Sequence, residues 1–100
     1  MGMTTYSTTN DRPIHCIAVE IGEEIINRGI APSDYVTAYL LPLLCITDLS
    51  QEYGYDSAAG IAAYCVDALE NQARWRGPRA NRLLAELDGR VRSFYREALA

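Results

Sequence analysis

His15 stands beside Cys16, and an imidazole next to a thiol is the pair from which a cysteine nucleophile is built. That chemistry needs the two groups to converge on one point, with a third group orienting the base. Neighbours on a helix point roughly 100° apart, so His15 flanks the apolar stripe of its segment while Cys16 turns away from it. The chain has a single histidine, and its three cysteines, Cys16, Cys45 and Cys65, are far apart with no C-x-x-C pair. This spacing suggests neither a zinc knuckle nor a disulfide framework, and points to reduced thiols. Glu23 and Glu24 fail as an acid–base couple for the same geometric reason. Neither a G-x-x-x-x-G-K-[ST] nor a G-x-G-x-x-G loop is present to cradle phosphate. The expectation is a protein that is not an enzyme and carries no cofactor or metal.

The other concentration of chemistry is "QARWRGPRANR", residues 72–82, where Arg74, Arg76, Arg79 and Arg82 surround Trp75, the only tryptophan. Arg74 and Arg76 are expected to close a helix, where positive charge complements the dipole; Arg79 and Arg82 open the next one, where it does not. Three readings stand side by side: a basic helix corner with Trp75 as a packing wedge, a protein-binding hot spot rich in Trp and Arg, or a nucleic-acid contact. The charge balance argues against direct nucleic-acid binding, whose sequence-independent part needs net positive charge. The formal net charge is −4, and residues 1–56 carry eight acids against Arg12 and Arg28. Residues 57–100 carry seven arginines against five acids, and the chain has no lysine. The two halves are therefore electrically opposite, and each cation is a planar guanidinium suited to bidentate pairing.

Periodicity supplies the scaffold. Residues 10–29 read as a first helix, with Asn10 or Asp11 as cap, Pro13 in the first turn and Gly29 at the end. Ile14, Ile17, Ala18, Ile21 and Ile25 share its buried face. Glu20, Glu23 and Glu24, together with Asp34 further on, offer an acidic surface to a basic partner. Residues 31–49 form a second, almost wholly apolar helix, expected at the centre of the bundle and kinked or broken at Pro42. "SQEYGYDS" is read as a turn exposing Tyr53 and Tyr55, with Gly54 ending a helix and Asp56 or Ser57 capping the next. A third helix spans residues 57–76, burying Ala58, Ile61, Cys65, Ala68 and Leu69, with Gln72 on the same face and in need of a partner. A fourth, residues 78–99, buries Leu83, Leu84, Leu87, Val91, Phe94 and Ala98, with Arg82, Glu86 and Arg90 pairing along the other side. Nothing alternates with period two. The fold class is all-α, a compact bundle of four or five helices, with residues 1–12 a flexible leading segment and 13–100 one domain.

The longest apolar run, residues 35–46, has about twelve residues where a bilayer needs roughly twenty, and the first residues do not pattern as a secretory signal. A cytoplasmic protein is expected. In size, acidity and style, though in no motif, the chain resembles the small orphan proteins of phages and mobile elements, among them the anti-CRISPR class. That resemblance implies an inhibitor that docks on a host nucleoprotein, a CRISPR surveillance complex, and blocks its access to guide or target. Some members of the class present carboxylates where phosphates would lie, and binding through aromatic and arginine side chains fits the class equally well. Partner-binding candidates are Glu20, Glu23, Glu24, Asp34, Tyr53, Tyr55, Arg74, Trp75, Arg76, Arg79 and Arg82. The alternative is a self-associating helical adaptor, linked to transcription, in which the acidic half of one copy of a homodimer meets the basic half of the other.

Overall fold

Why the first helix begins where it does is answered by a distant segment. A computed structural model describes residues 12–54 and 56–100. Helix α1 runs Ile14–Asn27 with Pro13 as its cap position and no side-chain cap. The orphan N–H groups of Ile14 and His15 donate instead to the carbonyls of Thr47 and Ile46, both at 2.8 Å. The expected caps Asn10 and Asp11, and the leading segment up to residue 11, lie outside the described residues. The five apolar positions of the predicted stripe are all buried. Gly29, at φ +66°, ends the helix as expected, and the N–H of Ile30 closes the turn onto the carbonyl of Ile25 at 3.1 Å.

Helix α2 spans Asp34–Leu43, capped by Ser33, whose hydroxyl accepts from the N–H of Val36 at 3.1 Å. Pro42 sits in its last turn, and the helix ends one residue later, short of the expected residue 49. The chain leaves through three successive i→i−3 bonds, from Leu44, Cys45 and Ile46 to Leu41, Pro42 and Leu43.

Next comes a small departure from an all-α fold. Glu52–Tyr53 (β1) pairs antiparallel with Asp56–Ser57 (β2), in the register Glu52 to Ser57 and Tyr53 to Asp56. Gly54, at φ +65°, turns this ribbon rather than ending a helix. Two-residue strands are too short for alternation to be visible in sequence. Ser57 caps helix α3, Ala58–Glu70, by accepting from the N–H of Gly60 at 3.0 Å.

Helix α3 stops at Glu70 instead of residue 76. Asn71 closes it, and Arg74 takes the left-handed conformation at φ +67°, which a helix cannot continue through. Gly77, at φ +117°, and Pro78 then launch α4, Pro78–Leu99. Helix α3, not α2, is the centre: eight of its 13 residues are buried, and it packs against both α2 and α4. Helix α2 exposes Tyr35 and Leu41, with Leu44 just beyond its end. On α4, Leu83, Leu87 and Val91 are buried as expected, Leu84 and Phe94 are half-buried, and Ala98, in the last turn, is exposed. One hydrophobic cluster joins the four helices from Ile14 to Val91. No described helix is long and apolar enough to cross a membrane.

Candidate functional site

The acidic strip and the arginine corner meet each other inside one chain. Glu20, on α1, accepts from Arg12 through one oxygen and from Arg79 Nη2 through the other at 3.1 Å. Glu24, one turn on, pairs with Arg28 at 3.2 Å and with Arg79 Nε at 3.5 Å. Arg79 thus lies across both acids, and the positive charge that was unexplained at the start of α4 is answered by α1. Glu23 and Asp34 remain exposed and make no ion pair with any described residue.

Arg12 ties the start of the described chain to α4. Its Nε and Nη2 donate to Glu86 Oε2 and Oε1, both at 2.7 Å. Arg90 Nη1 donates to the Arg12 carbonyl at 2.6 Å. Bonds to Glu86 and to Glu20 raise the pKa of the Arg12 guanidinium against the opposing effect of burial. This corrects the expected ladder of Arg82, Glu86 and Arg90 along α4: Glu86 turns inward to Arg12, and Arg82 is exposed with no ion pair among the described residues.

Around Trp75 the corner is stitched down. The ring is 2% exposed, so it packs inside the corner; its Nε1–H is buried with no acceptor among the described residues. Arg74 and Arg76 lie in the loop after α3, so the dipole explanation expected for them does not apply. Their carbonyls accept instead from Arg28, at 3.2 and 2.5 Å. Arg76 Nη1 donates to the carbonyls of Gln72 and Trp75, both at 3.0 Å. Gln72 is buried and finds the partners its position required: its Oε1 accepts from the Ser33 N–H at 2.9 Å, and its Nε2 donates to the Ala31 carbonyl at 3.3 Å.

With these charges engaged, an apolar feature is left unexplained. Between α1 and α2 runs a groove of about 240 Å³, floored by Ala18 and Gly22 and walled by Ile26, Leu40, Leu41 and Leu44. Ala18 and Gly22, one turn apart, leave the room: a Cβ built on Gly22 meets nothing within 4 Å. Ile26 is 75% exposed and Leu41 56%. An excess of apolar positions beyond one stripe was the available signal, since a helix apolar all round is covered on every side or expects to be.

On the other side of α2 three rings touch. Tyr35 meets Tyr39 edge-on with centroids 5.3 Å apart, and Tyr39 meets Tyr64 at 5.2 Å. Tyr35 donates to Asp67 Oδ2 at 3.0 Å, and packing together with this bond raises its pKa. Tyr53 is exposed on β1, and Tyr55 lies outside the described residues. Cys65 is buried, Cys16 half-buried and Cys45 exposed. Among the described residues no group of His, Cys, Asp and Glu is placed to hold a metal ion.

No family model matches the chain, and no solved structure matches it. Among curated proteins, gastrokine-3 of Mus musculus is similar, at 33% identity over 88 residues. The match covers 88% of this chain but only 42% of gastrokine-3, so the chain spans less than half the length of that relative.

Proposed function

We propose that the protein is a small non-catalytic inhibitor that acts by docking on another protein, a host nucleoprotein complex, through the face formed by α1 and α2. The observation that carries the docking mode is the α1–α2 groove, with Ile26 and Leu41 left largely in water. Exposed apolar area of this kind costs solubility unless a partner covers it. The choice of a nucleoprotein as target draws on the resemblance of the sequence to small phage proteins of the anti-CRISPR class. Because Glu20 and Glu24 are held by Arg12, Arg28 and Arg79, phosphate mimicry in this reading falls to Glu23 and Asp34 alone.

A self-associating adaptor draws on the same exposed apolar strip, with the groove of one copy facing that of another. Affinity capture from a lysate that contains a CRISPR surveillance complex tests the first reading. Wild-type protein is expected to retain a nucleic-acid-processing complex that a Leu41→Asp variant loses. Recovery of no such complex overturns the target, and equal recovery by the variant overturns the docking face.

A further inference from the structure

We infer that the α1–α2 groove takes an amphipathic helix, apolar along one face and basic on its flanks; this rests on the docking reading above and names the chemistry of the partner. Val19, Glu23 and Ile26 follow one another at helical spacing on the exposed side of α1, and Asp34, Ala38 and Leu41 do so on α2. Each strip borders the groove and offers apolar side chains around one carboxylate. A helix laid into such a groove inserts residues at i, i+3, i+4 and i+7, which places its flanking positions over the two strips.

The charge on these strips selects the occupant. Glu23 and Asp34 make no ion pair with any described residue. Between residues 14 and 58 the sole arginine is Arg28, held by Glu24 and by the carbonyls of Arg74 and Arg76, and there is no lysine. The rim is therefore acidic, with no cation of its own to neutralise it. A second copy is disfavoured, because a two-fold pair sets these acidic rims against each other. A basic helix pairs with both.

The test titrates the 100-residue chain into a labelled amphipathic peptide of leucine and lysine, about 18 residues long so that it can hold a helix. Its twin carries glutamate for lysine. The lysine peptide is expected to bind, and a Gly22→Phe variant, which fills the groove from a position with free space, is expected to abolish binding. The double variant Glu23→Gln, Asp34→Asn is expected to weaken it about tenfold. Equal binding of the glutamate twin overturns the basic partner and leaves the docking face standing. Equal binding of the lysine peptide to wild type and to Gly22→Phe overturns the groove as its site. Self-association of the protein alone, lost in Leu41→Asp, assigns the groove to a second copy and overturns the proposal. Failure of both peptides, with no change in captured partners for any groove variant, overturns the docking reading as well.

Discussion

Arg12 and Glu86 face each other through two parallel hydrogen bonds of 2.7 Å across 74 residues of sequence. The Glu86 side chain is 7% exposed and that of Arg12 26%, so the pair sits at the edge of the core where water screens it only partly. Removing one partner strands the other. Arg12→Ala is expected to lower unfolding stability in urea by about 1–3 kcal/mol. The double variant Arg12→Ala, Glu86→Leu is expected to recover much of that loss, since no buried charge is then left alone.

Trp75 gives a second test, because the ring packs while its N–H meets no acceptor among the described residues. Trp75→Phe keeps most of the wedge and deletes the orphan donor, and is expected to change stability by no more than about 1 kcal/mol. Trp75→Ala opens a cavity and is expected to cost about 3–5 kcal/mol. Thermal or urea melts of both variants decide between a packing ring and one whose N–H matters.

Part of this structure can be read from the chain. The stripe from Ile14 to Ile25 and the Ala58–Leu69 face were legible because helical periodicity is local and both faces are buried. The Gly29 stop and Ser57, one of two capping candidates, were legible for the same reason. The end of α3 at Glu70 was not: no glycine or proline lies between Gly60 and Gly77. What diverts the chain is Gln72 bonding to Ser33 and Ala31, partners about 40 residues away. The arginine corner showed its charges but not their destinations, since Arg79 reaches Glu20 only once α4 lies on α1. The groove is not legible in the sequence because the apolar excess in residues 31–49 equally suits the centre of a bundle, a place that alanine-rich α3 takes.

Thiol chemistry separates the three cysteines. Burial pushes the Cys65 thiol up to about 12 from an ordinary value of 9.0. With a colorimetric thiol reagent near pH 8, Cys45 is expected to react at once, Cys16 more slowly, and Cys65 only after unfolding. The folded Cys65 keeps its proton to higher pH than the unfolded chain. Its contribution to stability is thus complete below pH 9 and is lost as pH rises from 9.0 towards 12. Substituting Cys65 by Ala should remove that alkaline component of the melting profile. Asp48 acts with opposite sign: its carboxylate accepts from the Ser50 hydroxyl and N–H, which lower its pKa, so its contribution fades as pH falls below 3.8.

Gly22 is a helix-interior glycine with open space in front of it. Gly22→Ala is expected to raise stability by about 0.5–1 kcal/mol, because a Cβ restricts the unfolded chain and meets nothing in the folded one. A loss of stability in a urea melt would mean that the groove is closed in solution.

The account turns on where a partner sits. The most direct measurement is a two-dimensional amide NMR spectrum of the isotope-labelled protein, recorded as the leucine–lysine peptide is added. The groove account predicts shifts confined to residues 18–26 and 34–45, and their absence in Gly22→Phe. Shifts centred on residues 72–82 would contradict it and return the binding surface to the arginine corner.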